Sequence, residues 1–226
     1  MSVTDRTHHR AALAGGAFVR VVNWHNTPER GRATLRAQLV AYLRDHRPVV
    51  PDDLDRLFDT GRWGHDRPGL LVAFYDGYRN GATVAAPVCD ELGITAWFLP
   101  PTTFLDTPDE EQHAYADSHD IELLPEERQQ PRVAMTWEEL EVISRRHVIA
   151  AHTANHVIFD EVLTPADVEQ EVLTPIRRIT EVTGRLPPAM VFRFGRPHDA
   201  ASPAWQAAAA AGVRYALSNT AVERMA

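Results

Sequence analysis

One aspartate and two histidines are the residues of this sequence whose side chains best suit a metal ion. His152 and His156 lie four residues apart in "AAHTANH", and Asp76 follows the apolar run "LLVAFY". Two histidines at this spacing share one face of a helix, or straddle the end of a strand and the turn after it. With one carboxylate they form a three-ligand set that leaves a coordination position open for water, as catalytic zinc sites do. Taken singly, histidine pairs and Asp-Gly turns are also common in structural roles.

Tyr75 stands directly before Asp76 in the stretch "AFYDGYRN". In this stretch a predicted strand gives way to a glycine turn. Parallel α/β folds collect their reactive groups at the carboxyl ends of strands. Tyr75 is therefore a site candidate on its position alone.

The elements that must position these residues are strands with both faces covered, because six apolar runs show no alternation with polar residues. The runs span residues 18–24, 70–75, 95–99, 147–151, 189–193 and 213–217. Helices lie between them, and their ends are marked by Thr136 with Glu139, by Thr164, Pro165 and Gly184, and by Ser202, Pro203 and Gly212. Alternating strands and helices predict an α/β fold with a parallel sheet, closed into a barrel or left open.

An acidic stretch, residues 106–131, carries nine acidic residues among 26 and has little periodicity. It follows the predicted strand at 95–99. We expect a long surface loop that borders the pocket, because loops of this length in compact domains are usually functional or disordered.

Composition excludes several classes of function. The net charge of −8 argues against a basic face for nucleic acid. All 23 basic residues are arginine, so there is no lysine for a Schiff base. Cys89 is the only cysteine and lies in a helical stretch, so we expect a buried structural thiol. No run approaches the roughly 20 apolar residues of a membrane span, and the first residues do not resemble a signal peptide. We expect a cytoplasmic protein with a small-molecule substrate and with neither a nucleic-acid nor a membrane partner.

Read in order, the motifs resemble the polysaccharide deacetylase (NodB homology) family, carbohydrate esterase family 4. The family's first motif reads TFDDG, and "AFYDG" stands in its place; the second reads H-S/T-x-x-H, and "HTANH" matches it fully. The early "VVNWHNTPERGRATLRAQLVAYL" is similar to the opening strand and helix of the branch that deacetylates exopolysaccharides. The resemblance spans residues 18–218. It implies a distorted (β/α)7 barrel and metal-dependent removal of acyl groups from amino sugars.

By matched position, the resemblance implies that Asp76, His152 and His156 bind a divalent metal ion, which we expect to be Zn²⁺. Arg193 in "FRFGRPHDA" corresponds to the arginine of the third motif, but the proline and aromatic residue that follow it in the family are missing. The fourth motif, Leu-x-x-His, which supplies the general acid, is also missing. His198 is the only histidine after His156 and is the candidate for that role.

Tyr75 also departs from the family pattern, because the family has an aspartate there that takes a proton from water. A phenol with an ordinary pKa near 10 keeps its proton at neutral pH, so a neutral Tyr75 donates rather than accepts. His25, at the end of the first predicted strand, could also face the pocket.

Three functions follow from these residues. The first is a metal-dependent hydrolase acting on an N-acylated amino sugar or another small metabolite, with Tyr75 or His198 handling protons. The second keeps the metal but uses Tyr75 as a proton donor in a lyase or isomerase of a biosynthetic pathway. The third is a non-catalytic binding protein on the same barrel. We predict one domain over residues 18–226, preceded by a flexible segment at 1–17.

Overall fold

In a computed structural model of the chain, Gly16 and residues 18–158, 160, 164–195 and 198–225 are described. The predicted flexible segment, residues 1–17, lies outside this description except for Gly16. The strands are β1 (Val19–Trp24), β2 (Arg47–Pro48), β3 (Gly69–Tyr75), β4 (Trp97–Leu99), β5 (Val148–Ile149), β6 (Ala151–His152), β7 (Ala189–Val191), β8 (Tyr215–Leu217) and β9 (Val222–Arg224). Each of the six predicted runs contains at least one of them.

The strands form two sheets that meet where β5 runs into β6. One sheet has the order β1-β3-β4-β5 with β2 beside β3, and the other has the order β6-β7-β8-β9. Every pairing is parallel except that of β8 with β9. The carboxyl ends of the parallel strands therefore lie together at one end of the molecule.

Helices connect the strands. They are α1 (Arg32–Leu43), α2 (Pro51–Thr60), α3 (Ala86–Glu91), α4 (Thr102–Asp106), α5 (Gln112–Ser118), α6 (Trp137–Ser144), α7 (Pro165–Val168), α8 (Thr174–Thr183) and α9 (Pro203–Ala210). A widened π turn, Glu169–Leu173, joins α7 to α8 into one continuous helix. The predicted capping box is present at the start of α6, where the Thr136 hydroxyl accepts from the Glu139 backbone N–H at 3.1 Å.

Strand β3 shows why the apolar runs do not alternate. Leu70, Val72 and Phe74 pack in a large outer core with the helices. Leu71, Ala73 and Tyr75 pack in an inner core with residues from β1, β4, β7 and β8. Because successive side chains point to opposite faces, a strand between two cores must be apolar throughout. Tyr75 therefore points into the interior of the barrel.

The prediction for the acidic stretch is wrong in one respect. Residues 106–131 are not a structureless loop, because they include α5 and two 3-10 turns, Asp109–Glu111 and Glu127–Gln129. Helix α2 and strands β2 and β9 were not predicted. Strands β2 and β9 have only two and three residues, which is too short to show a periodic pattern of apolar residues.

Two smaller expectations can be compared directly with the structure. Cys89 is buried, and burial raises the pKa of its thiol to about 12, as expected for a structural cysteine. Within the described residues, none of the helices has the length and apolar character needed to cross a membrane.

Candidate metal centre

Asp76 is placed by a tight turn at the carboxyl end of β3. Asp76 and Gly77 both have left-handed backbones, with φ of 66° and 70°. The Asp76 N–H donates to the Leu99 carbonyl at 3.2 Å, which ties the turn to β4. A Cβ on Gly77 would lie 2.9 Å from side-chain atoms of Leu105 and Pro100, so both the conformation and the space require glycine there.

His152 and His156 reach the same place from the end of β6. His152 is the last residue of the strand, and His156 lies in the turn that follows, with φ of 56°. The two histidines therefore straddle a strand end and a turn, the second of the two arrangements that their spacing allows. One ligand atom from each of Asp76, His152 and His156 lies within 4.8 Å of the others, and all three residues are buried.

The hydrogen bonds of the two histidines leave the same ring nitrogen free. His156 Nδ1 donates to the His119 carbonyl at 2.6 Å. The Thr153 hydroxyl donates to the Val157 carbonyl, so His152 Nδ1 must be the donor in its 3.1 Å contact with Thr153 Oγ1. Each histidine is thus held by its Nδ1–H with a lone pair on Nε2, as in many metal sites where a neighbouring acceptor fixes the tautomer.

The carboxylate of Asp76 faces one of these lone pairs. His156 Nε2 lies 3.2 Å from Asp76 Oδ1, which has no hydrogen-bond partner among the described residues. The other oxygen, Oδ2, accepts from His25 Nδ1 at 2.8 Å. Two acceptor atoms at this distance repel each other unless a cation, either a proton on His156 or a metal ion, lies between them. The mixed nitrogen and oxygen donors of the three residues fit a divalent metal such as zinc.

Electrostatics favour the metal-binding protonation states. Burial opposes the charged form of Asp76, but the close contact with His156 and the hydrogen bond from His25 outweigh it and hold the pKa of Asp76 below its ordinary value. Burial, with the nearby charge of His156, lowers the pKa of His152 well below its ordinary value. A carboxylate that stays ionised and an imidazole that stays neutral are the forms that bind a cation.

Tyr75 lines the same cavity but holds its hydroxyl toward the end of β8. The hydroxyl donates to the Ser218 carbonyl at 3.3 Å, and the ring stacks on His25 at 5.3 Å between centroids. Burial, followed by the nearby charge of Asp76, raises the pKa of Tyr75 above its ordinary value. Tyr75 therefore keeps its proton and acts as a donor.

Arg193 and His198 have different positions. Arg193 lines the cavity and donates to the Asp120 carboxylate, with 2.6 Å between Nη1 and Oδ2. The structure does not bring His198 into this cavity: its ring packs at 5.9 Å from that of Trp205, and its backbone N–H donates to Glu223. A role for His198 in proton transfer stays a prediction.

The cavity over the three residues has a volume of about 190 Å³. Four described residues other than glycine have positive φ: Asp76, Asp120, His156 and Phe194. All four line this cavity. Left-handed backbone is unfavourable for residues with a Cβ and collects where function requires it. The strain therefore indicates this cavity as the candidate functional site without reference to any motif.

Comparison with known families decides the identity of the chain. A sequence model of the family described as polysaccharide deacetylase matches residues 64–216. The chain belongs to the polysaccharide deacetylase family. The match includes Asp76, both histidines of the cavity and Arg193. A comparison with curated protein sequences found no significant match.

Solved structures with the same fold are deacetylases. A de-N-acetylase from Aggregatibacter actinomycetemcomitans has a TM-score of 0.65 at 18% identity, over 92% of this chain and 90% of that chain. IcaB from Ammonifex degensii has a TM-score of 0.62 at 18% identity, over 86% and 81% of the two chains. The Streptococcus pyogenes deacetylase PplD, solved in complex with acetate, has a TM-score of 0.60 at 14% identity, over 86% and 78%. The predicted barrel of the NodB type is confirmed.

Sequence reasoning missed Asp120 and gave His25 only a possible place in the pocket. His25 follows Trp24, which pairs with Phe74, so the register of β1 on β3 sets His25 beside Tyr75. Asp120 is one of nine acidic residues in its stretch, and nothing in the sequence separates it from the others. Its backbone conformation and its contact with Arg193 are visible only in the fold.

Proposed function

We propose that this member of the family is a metal-dependent deacetylase that removes an acetyl group from an amino sugar or another small N-acylated metabolite. Asp76, His152 and His156 would hold a divalent ion, for which zinc is the best candidate. The observation that carries the proposal is the contact between Asp76 Oδ1 and His156 Nε2, two acceptors that need a cation between them. The family supports the reaction class, a hydrolase acting on amide bonds.

A bound divalent ion would polarise the acyl carbonyl and make water more acidic. The chain's own residues would keep the metal ligands in place. His25 holds Oδ2 of Asp76, and the His119 carbonyl and the Thr153 hydroxyl hold the two imidazole rings. Mutating such supporting residues commonly costs 10–100-fold in metal affinity or activity.

Two further residues would act on the substrate side of the cavity. Tyr75 keeps its proton, so it would supply a hydrogen-bond donor near the reacting group and not a base. The Nε of Arg193 is buried without a hydrogen-bond partner among the described residues, so it would offer a donor to the substrate. The resemblance of the sequence to the family assigns both residues to motif positions.

The size of the cavity supports a small acyl group. A volume of about 190 Å³ lies below the roughly 300–1,000 Å³ of pockets for drug-sized ligands. An acetyl group with part of one sugar ring is a suitable occupant, and the acetate found in the Streptococcus pyogenes enzyme is the product of such a reaction. We therefore propose N-acetylated amino sugars as the substrates to assay first.

The test is metal-dependent release of acetate. Purified protein is stripped with a chelator, reloaded with one equivalent of Zn²⁺, and assayed on N-acetylglucosamine and its short oligomers. We expect acetate release only after reloading, and a metal content near one ion per chain. Full activity of the stripped protein would contradict the metal role. One bound metal ion per chain without acetate release would instead favour the hypothesis of a lyase or isomerase.

A further inference from the structure

Asp120 is a carboxylate at the mouth of the cavity that no motif predicts. It lies after α5, with φ of 54°, and lines the cavity together with Asp76, His152 and His156. The preceding residue, His119, anchors the segment, because its carbonyl accepts from His156 Nδ1 at 2.6 Å. The backbone at Asp120 is therefore fixed to the metal centre through one hydrogen bond.

Arg193 holds the side chain of Asp120 from the opposite wall. Arg193 Nη1 lies 2.6 Å from Asp120 Oδ2, and the Arg193 backbone N–H donates to the Val157 carbonyl at 3.3 Å, just after the second histidine. The Arg193 side chain is mostly buried, whereas that of Asp120 is 74% exposed. The second oxygen of Asp120 accepts no hydrogen bond within the described residues, although the side chain lines the cavity.

The other carboxylate of the cavity and the two histidines after β6 are already engaged. Asp76 accepts from His25 and would bind the cation, to which His152 and His156 would present their lone pairs. Tyr75 is a phenol whose hydroxyl donates to the Ser218 carbonyl at 3.3 Å. A general base must be an acceptor that is free in the resting site and close to the reacting atom. Among the carboxylates that line the cavity, Asp120 meets the first condition.

We propose that Asp120, oriented by Arg193, is the general base of the deacetylation and takes the place of the carboxylate that Tyr75 replaces. This inference rests on the proposed function. As the oxygen of a water molecule forms its bond to the acyl carbon, one proton of that water passes to Asp120 and the carbonyl π electrons move to the carbonyl oxygen. When the carbonyl re-forms, the C–N bond breaks and its electron pair goes to nitrogen. Asp120 returns the proton to that nitrogen, and the products are the free amine and acetic acid, which ionises in solvent.

Asp117 provides a matched control. Its carboxylate is also bound by an arginine, Arg128, at 2.7 Å, and its side chain is 55% exposed. It lies three residues before Asp120 but does not line the cavity. Asp117→Asn therefore removes the same charge from the same segment without touching the site.

The experiment compares zinc-loaded wild type, Asp120→Asn and Asp117→Asn by metal content, acetate release and affinity for added acetate. General base catalysis is typically worth 10²–10⁴-fold, so we expect kcat of Asp120→Asn to fall by at least about 100-fold with metal content unchanged. Acetate should bind Asp120→Asn about 3- to 10-fold more tightly, because one of two like charges in the cavity is gone. Asp117→Asn should match the wild type in all three measurements.

Any other result would contradict either the role of Asp120 as the base or the proposed function. A raised KM with unchanged kcat would make Asp120 a substrate-binding residue, and loss of metal would make it a structural support of His156. Equal turnover of wild type and Asp120→Asn would reject the base and leave the proposed function intact. No turnover in the wild type would reject the proposed function, and the acetate affinities would then still test Asp120: equal values would place its charge outside the site.

Discussion

Two buried aspartates at opposite ends of the barrel show how a structural carboxylate differs from a functional one. Asp53 lies in the first turn of α2, near the amino-terminal end of β3, and Asp76 follows the carboxyl end of that strand. Asp53 Oδ1 accepts from Arg47 at 3.1 Å and from His65 at 2.9 Å, and its Oδ2 accepts from the Val50 N–H at 3.3 Å. Both of its oxygens are satisfied within the protein.

Asp76 has a histidine on each oxygen, yet only one of these contacts is a complete hydrogen bond. Its Oδ1 faces an imidazole nitrogen whose proton lies on the far side of the ring. Burial opposes ionisation of both aspartates, and in both the contacts with neighbouring side chains outweigh it, so both pKa values are lowered. A lowered pKa therefore does not separate the two residues. The unsatisfied oxygen does, because a buried acceptor without a donor is costly unless something outside the chain binds it.

The largest expected difference comes from replacing each aspartate by asparagine. Asp76→Asn should lose the metal and lower acetate release by about a thousandfold or more, since a metal supplies several kcal/mol of transition-state stabilisation. Asp53→Asn should keep one metal per chain and normal turnover but lose about 3 kcal/mol of unfolding free energy, because its arginine and histidine partners lose a buried charge. Metal analysis, acetate release and urea unfolding of both variants measure this. Equal metal retention by both variants would show that Asp76 is no more important for metal binding than Asp53.

The two ends can be compared again through their buried tyrosines. At the amino-terminal end, the Tyr215 hydroxyl donates to the Asp55 carboxylate, while Tyr75 donates to a neutral carbonyl. Hydrogen bonds to charged groups contribute about 1.5–3 kcal/mol and neutral ones about 0.5–1.5 kcal/mol. Tyr215→Phe should therefore destabilise the protein more than Tyr75→Phe, as measured by urea unfolding.

The same Tyr75→Phe variant also tests whether Asp120 or Tyr75 transfers the proton. If Asp120 is the base, this variant should keep its metal and lose less than about tenfold in turnover. A loss of 100-fold or more with the metal bound would assign proton transfer to the phenol. That result would favour the lyase or isomerase reading over hydrolysis.

The smallest expected effect is the pH dependence of His25 in the metal-free protein. The hydrogen bond that His25 donates to Asp76, only partly offset by burial, raises the pKa of His25 above its ordinary value of 6.5. The folded state then holds this proton more tightly than the unfolded state, so its stabilising effect is complete below pH 6.5 and disappears as pH rises through the raised pKa. His25→Gln should therefore cost more unfolding free energy at pH 5.5 than at pH 9. The half-exposed ring keeps the difference small.

Urea unfolding at the two pH values measures this difference. Tyr75→Phe serves as the control, since its hydroxyl stays protonated across the range and its effect should not vary. An equal cost of His25→Gln at both pH values would show that the bond to Asp76 does not bias protonation of His25.

Much of the fold could be predicted because it depends on patterns that stay local in the sequence. Continuous apolar runs imply strands covered on both faces, and the Thr136 capping box forms from residues three apart. Asp76, His152 and His156 were predicted to lie together because each belongs to a family motif. His25, Asp120 and His198 depend instead on strand register and on where a chain segment crosses the barrel mouth. Neither the strand register nor the path of the segment can be inferred from residue spacing. From the sequence, His198 was therefore included among the site residues and Asp120 was omitted.

The left-handed residues around the cavity have a consequence for engineering this protein. A strained backbone position costs about 1–3 kcal/mol, and glycine relieves most of that cost. Asp120→Gly and Phe194→Gly are therefore among the changes that a search for heat resistance alone would enrich. The carboxylate of Asp120 and the ring at the cavity rim would disappear in the process. A thermostable variant of this enzyme has to be selected for turnover at each round, because stability and activity make opposite demands on these positions.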